Sequence, residues 1–185
     1  MQPADHDALT RRFGSIVDAV PEWDAPTPVP EWRARDIVHH LTTWLPELLA
    51  SCGVELPAGS LDDPVGSWHR QDEAVRRLLA ARGTDEVTHP FLGTNTLGAM
   101  LAQVYLGDVF LHTWDLARAA GVDDRLDPAV CDEMLAGLTQ MEDVLRSSGH
   151  YGPAWPGEPG PDPQRRLVAF IGRDPDWRPP GAPAG

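Results

Sequence analysis

The spacing of apolar residues along the chain is that of amphipathic helices. Apolar side chains recur every three or four positions, and a helix that turns about 100° per residue gathers them on one side. This spacing predicts helices over about residues 5–20, 33–52, 64–82, 95–120 and 127–149, with a short one over about 162–170. Asp127–Pro128 and Asp162–Pro163 each combine an N-cap residue with a proline at the first helical position. The pattern leaves little room for strands, and DEVTHPFLG is interpreted as an extended connector, so the prediction is an all-α chain: an antiparallel helical bundle with one or two accessory helices.

The predicted helix over 95–120 carries three ionisable residues on its apolar face. On a helical wheel, Asp108, His112 and Asp115 fall within roughly 60° of one another, whereas Phe110 and Thr113 are expected on the opposite side. Burying a carboxylate without a partner costs several kcal/mol or more of folding free energy. The carboxylates on this face must therefore contact a cation or several hydrogen-bond donors. Asp108 and His112 are four residues apart, and their side chains can therefore share a metal ion.

The predicted second helix adds a histidine that can reach the interior. His40 lies beside Trp44 at the flank of the apolar face, whereas His39 is expected to be solvated. With Asp108 and His112, His40 makes a set of two imidazoles and one carboxylate, which leaves coordination positions open as in catalytic zinc and non-haem iron sites. From the residues alone, the alternative is a polar network in which Asp108 and His112 pair with each other or with an arginine.

Other polar residues are weaker candidates. Asp115 is the candidate catalytic residue: its favoured role is to accept a hydrogen bond that orients a ligand imidazole, and its alternative role is that of a general base. Asp72 falls on the apolar stripe of the third predicted helix and is either a buried acceptor or the solvent-exposed edge of that stripe. Trp114 and Arg118 lie beside the metal face, where they could line a pocket entrance, although helix packing explains Trp114 equally well. Four further histidines are expected at the surface or in loops: His6, His69, His89 and His150.

Composition narrows the classes of function. The 185 residues carry a net charge of −13 with the two signs interspersed, which argues against nucleic acid and anionic membranes as partners. All basic residues are arginine, so Schiff-base lysines and Walker-type phosphate loops are excluded. Cys52 and Cys131 are too few and too far apart for a disulfide framework or a zinc-binding pair. With no signal peptide or membrane span in the sequence, we expect a single cytoplasmic domain that is a monomer or homodimer.

Three motifs together resemble a known family. EWRARDIVHHL (31–41), DVFLHTWDLARAAG (108–121) and RRLVAFIGRDP (165–175) are similar to the actinobacterial metal-binding group within the mycothiol-dependent maleylpyruvate isomerase N-terminal family. The resemblance implies a DinB-like antiparallel four-helix bundle, with His40, Asp108 and His112 as metal ligands. A single domain is expected over 1–175, followed by a disordered tail rich in proline and glycine over 176–185. The characterised isomerase has glutamate at the position of Asp108 and an additional C-terminal domain.

The resemblance also implies a chemistry. A divalent metal, with zinc as the first candidate and nickel or iron as alternatives, would lower the pKa of a low-molecular-weight thiol such as mycothiol for attack on an electrophilic carbon. The expected function is therefore a metal-dependent thiol transferase or isomerase, with a small thiol and an electrophilic substrate as partners. Two alternatives stay open. The protein is either a metal-dependent hydrolase or a non-catalytic helical bundle that binds a metal to stabilise its fold or to sense a ligand.

Overall fold

The computed structural model describes residues 6–90, 92–147 and 151–181. Within these ranges the chain is mostly helical, as predicted, with seven helices and one two-stranded sheet. His150, the end of the predicted fifth helix at 148–149 and the last four residues of the predicted tail lie outside the described residues. The elements are α1 (His6–Val17), α2 (Ala34–Ala50), α3 (Pro64–Arg82), β1 (Glu86–His89), β2 (Gly93–Thr96), α4 (Leu97–Ala120), α5 (Pro128–Gln140), α6 (Glu142–Ser147) and α7 (Pro163–Phe170).

The 24-residue helix α4 is the centre of the fold and is buried on more than one side. One side packs with α1, α2 and α3 in the larger apolar cluster, which includes Leu101 and Tyr105. The other side contributes Phe110 and Trp114 to a second cluster with residues of α5 and α7. The prediction that Phe110 and Thr113 point away from the core is therefore wrong: Phe110 packs with α5 and α7 in the second cluster, and Thr113 is buried as well.

Local signals explain where most helices begin and end. The Asp127 carboxylate accepts hydrogen bonds from the first backbone N–H groups of α5, and Asp162 does the same for α7, which confirms both predicted starts. The predicted fifth helix is interrupted at Met141, whose φ of −113° and ψ of 14° lie outside the helical region. The physical reason is packing: none of the residues of α6 is buried, so little holds it in line with α5.

The segment predicted as an extended connector forms a hairpin. β1 and β2 pair in antiparallel register, with Glu86 opposite Thr96 and His89 opposite Gly93. Both strands have only four residues, and Val87 is the buried position of the pair. A single buried apolar side chain gives no alternating pattern, which is why hydrophobic periodicity does not reveal the hairpin.

None of the described helices combines the length and the apolar composition that crossing a bilayer demands.

Candidate metal centre

Two helices bring together the three side chains predicted as ligands. His40 projects from α2, and Asp108 and His112 project from α4 one turn apart. His40 Nε2 lies 2.9 Å from Asp108 Oδ2, and His112 Nε2 lies 3.5 Å from Asp108 Oδ1. One ligand atom from each residue can be chosen so that all three lie within 4.8 Å of one another. The spacing along α4 and the flank position of His40 on α2 thus produce one cluster.

The residues present fit a divalent ion. Ligand atoms about 2.0–2.2 Å from a tetrahedral zinc ion stand about 3.4 Å apart, close to the separations of this cluster. The donor set is two imidazoles and one carboxylate, which suits zinc, nickel and iron. Three protein ligands would leave at least one coordination position open.

Burial and neighbouring charges shift the pKa values of Asp108 and His112 in opposite directions. Burial acts to raise the pKa of Asp108, but the charge of His112 and the hydrogen bond with His40 outweigh it and bring the pKa below its ordinary value. Burial acts to lower the pKa of His112, but Asp108 and Asp115 raise it above its ordinary value. The site therefore favours positive charge beside an ionised Asp108, and a cation could supply that charge in place of the proton on His112.

Asp115 contacts the far side of the His112 ring. Its Oδ2 lies 2.9 Å from His112 Nδ1, and the Asp115 side chain is fully buried. Burial acts to raise the pKa of Asp115, but Arg173 and His112 overcome this effect and lower the pKa. An ionised Asp115 accepts a hydrogen bond from the Nδ1–H group of His112. The lone pair of the neutral ring is therefore on Nε2, which faces Asp108.

Arg173 completes this chain of contacts and was missed by helical spacing. Its Nε and Nη2 atoms donate to the two oxygens of Asp115 at 3.2 Å each, so both carboxylate oxygens are occupied. Arg173 follows α7 and lies 58 residues beyond Asp115, in the motif RRLVAFIGRDP. The motif is visible in the sequence, but no periodicity relates a residue after one helix to a residue inside another.

Aromatic rings surround the two imidazoles. The Trp32 ring stacks on His112 with a centroid distance of 5.6 Å and an interplanar angle of 18°, and it lies 5.1 Å from His40. Glu31, just before it, has a φ of 68°, a left-handed conformation that is uncommon outside glycine. The indole N–H of Trp44 donates to Asp108 Oδ2 at 2.9 Å. Sequence reasoning placed Trp44 beside His40 but gave Trp32 no role.

The site opens to solvent on the side of α2. The His40 side chain is 33 % exposed and Asp108 is 23 % exposed, whereas His112 is 7 % exposed. Trp32, half-buried, stands beside this opening. A small molecule would therefore approach past His40 and Trp32, and Asp115 lies away from its path.

The remaining candidates lie outside the cluster. Asp72 is partly buried and accepts a hydrogen bond from Arg76 at 3.0 Å. Arg118 stacks over the ring of the buried Trp114 and donates to the carbonyls of residues 175 and 177, so the two residues pack α4 against the C-terminal segment. Asp176, at the start of the predicted tail, accepts two hydrogen bonds from Arg165.

The other histidines have varied environments. His69 is exposed and pairs with Asp18 at 2.8 Å, and His89 lies in β1. His39 is half-buried. His6 was expected at the surface but is buried at the start of α1, because α3 packs against α1 there and brings Asp72 and Arg76 near it.

Comparison with known proteins supports the family resemblance over a range that contains the first of the three motifs. The family described as the mycothiol maleylpyruvate isomerase N-terminal domain matches residues 6–52, a range that contains His40. Two relatives are uncharacterized proteins of Mycobacterium tuberculosis, from strains H37Rv and CDC 1551. Each is 31 % identical over 166 residues, which covers 80 % of this chain and 83 % of the relative. No solved structure matches the chain. The chain belongs to the mycothiol maleylpyruvate isomerase N-terminal domain family.

Proposed function

We propose that this protein binds one divalent metal ion, zinc first among the candidates, through His40, Asp108 and His112. The observation that carries the proposal is the convergence of three ligand atoms within 4.8 Å at a solvent-accessible opening between α2 and α4. An imidazole pair with a carboxylate is a donor set that binds zinc, and with both imidazoles neutral the ionised Asp108 would need the cation as its counter-charge.

We further propose that α1–α4 form a DinB-like four-helix bundle around this site. In support, α4 contacts α1, α2 and α3, and α3 contacts α1 and α2. Two of these four helices supply the ligands, so the bundle fixes their separation. α5 and α7 then pack together on the outer side of α4 as accessory helices.

The proposed activity is that of a thiol transferase or isomerase that uses a low-molecular-weight thiol such as mycothiol. When bound, a divalent ion lowers the pKa of a thiol at its open position. The family to which the chain belongs supports a mycothiol-related role. His40 and Trp32 border the opening, and their rings would contact an entering thiol and exclude water on one side.

Asp115 has a positioning role in this proposal and does not act as a general base. Both of its oxygens are engaged by His112 and Arg173, and its side chain has no exposed surface. It therefore holds the proton on His112 Nδ1 and keeps Nε2 available as a ligand atom. Partners of this kind usually contribute about 10–100-fold to metal affinity or activity.

Cobalt substitution tests whether the site accepts a thiol. Sulfur bound to Co²⁺ adds a charge-transfer absorption that nitrogen and oxygen ligands do not give. We expect the cobalt protein to gain this band when a small thiol is added, with tighter binding at higher pH because the thiol must lose its proton. His112→Ala should give no band, whereas His69→Ala, which removes an exposed histidine paired with Asp18, should behave like the wild type.

Two outcomes would contradict this function. If the cobalt protein binds its ion but shows no spectral change at saturating thiol, the thiol-transfer proposal is wrong, and turnover of ester or amide substrates then becomes the test of a hydrolase. If His112→Ala gives the same band as the wild type, the cobalt ion that binds the thiol does not depend on His112, and the proposed site is wrong.

A further inference from the structure

We propose that Trp44 is a positioning residue for the metal centre: its indole N–H holds one oxygen of Asp108, so that the other oxygen alone serves as a metal ligand. The inference rests on the proposed metal site and adds to it a residue that determines how the carboxylate binds. It also explains why a tryptophan lies one helical turn after the ligand His40 on α2.

The contacts of Asp108 divide its two oxygens between different partners. Trp44 Nε1 donates to Oδ2 at 2.9 Å, and His40 Nε2 lies 2.9 Å from the same oxygen. Oδ1 faces His112 Nε2 at 3.5 Å. An indole N–H is a donor and never an acceptor, so it can stabilise the ionised carboxylate but cannot bind the cation itself.

Metal binding would leave Trp44 as the remaining donor. The imidazoles bind a cation through Nε2 only when that nitrogen carries no proton, so neither His40 nor His112 can then donate from Nε2 to Asp108. In the described part of the chain, Trp44 is the other side chain that donates to this carboxylate. A bidentate Asp108 would have to share Oδ2 between the ion and the 2.9 Å hydrogen bond from the indole, and the two would compete for the electron density of that oxygen. The indole therefore favours a monodentate carboxylate and keeps coordination positions open.

The indole is itself fixed by the core. The Trp44 ring meets Tyr105 at a centroid distance of 6.2 Å, and Tyr105 is fully buried on α4. The Tyr105 hydroxyl accepts a hydrogen bond from Gln71 on α3, and Gln71 also donates to the Leu41 carbonyl of α2. Three helices thus hold the ring against which Trp44 rests, so its N–H is already directed at Asp108 before an ion binds.

The Trp44→Phe variant removes the N–H and keeps an aromatic ring. We expect its zinc affinity, measured by competition with a zinc indicator, to fall about 10–100-fold, the usual effect of losing a partner that orients a ligand. The ligand-field spectrum of the cobalt form should also change, because Asp108 becomes free to bind through both oxygens. A role in packing alone would not move this spectrum. Trp155→Phe, which alters a half-buried tryptophan in the segment before α7, is the matched control and should leave both measurements unchanged.

The result that overturns the inference is a Trp44→Phe protein with wild-type zinc affinity and an unchanged cobalt spectrum. A crystal structure of the zinc-loaded wild type supplies a second test that needs no variant. We expect Trp44 Nε1 within hydrogen-bond distance of Asp108 Oδ2 and only Oδ1 on the ion; a bidentate Asp108 would overturn the inference. A wild type that binds no metal would instead overturn the proposed function, and this inference with it.

Discussion

Individual atoms of Asp108 and His112 determine what this site can bind. Each of the two side chains uses one end toward the proposed ion and the other end toward a fixed partner: Asp108 toward Trp44, and His112 toward Asp115. Such partners orient a ligand and set its protonation state before an ion arrives. The lowered pKa of Asp115 follows from Arg173, whose charge keeps the acceptor of the His112 proton ionised despite complete burial.

The Asp108→Asn substitution separates a metal ligand from a hydrogen-bonding residue. The amide keeps the size of the carboxylate but loses its charge, so zinc affinity should fall by more than the about 10–100-fold expected for an orienting partner. The metal-free fold should survive, as judged by circular dichroism and thermal unfolding. Titration against a zinc indicator measures the loss, and Asp18→Asn, at an exposed carboxylate paired with His69, is the control. An unchanged affinity would mean that Asp108 only hydrogen-bonds within the core.

Helical spacing was sufficient to predict that His40, Asp108 and His112 lie close together. Asp108 and His112 share a face because they are four residues apart, and a buried acid needs a partner, so the sequence points to the pair. His40 follows from its flank position on α2. Arg173 and Trp32 could not be found in this way, since each reaches the site from a non-helical segment whose direction depends on the tertiary fold.

The end of α7 is the element that joins the C-terminal segment to the site. Gly172 follows the helix with a φ of 88°, a left-handed conformation that side chains rarely adopt. The next residue, Arg173, donates its backbone N–H to the Val168 carbonyl and directs its guanidinium to Asp115. A Cβ atom at position 172 would also lie 2.7 Å from the Pro153 carbonyl oxygen. Both the turn and the close approach require glycine there.

Three glycine-to-alanine variants test this element. We expect Gly172→Ala to lower the free energy of unfolding by about 1–3 kcal/mol, because it combines backbone strain with the clash at Pro153. Gly121→Ala should cost less, since its φ of 68° is strained but a Cβ there meets nothing within 4 Å. Gly137→Ala, inside α5 and equally open, should stabilise the protein by up to about 1 kcal/mol. Urea unfolding measures all three, and a Gly172→Ala protein as stable as Gly137→Ala would contradict the account.

Element boundaries were predictable where a local signal sets them. The aspartate–proline pairs begin α5 and α7 as expected, because a cap and its proline act within one turn. The break at Met141 and the pairing of β1 with β2 were not predictable in the same way. The first reflects the lack of a buried side chain on α6, and the second depends on backbone hydrogen bonds between strands with one buried side chain.

At the scale of the whole molecule, the site connects parts of the chain that are distant in sequence. His40 comes from α2, Asp108 and His112 from α4, and the Arg173 that supports His112 from the segment after α7. α4 belongs to both apolar clusters, so it can hold these contributions in one place. An ion that binds the folded chain and not the unfolded chain would stabilise this arrangement by an amount that rises with the logarithm of the ion concentration divided by its Kd.

Metal content measured by mass spectrometry tests the central claim most directly. Protein purified without added metal should carry about one divalent ion per chain, as should the His69→Ala control, whereas His40→Ala, Asp108→Ala and His112→Ala should each lose most of it. Near-stoichiometric metal in all three ligand variants would contradict the account, and so would a wild-type protein that carries no ion and takes up none when zinc is supplied.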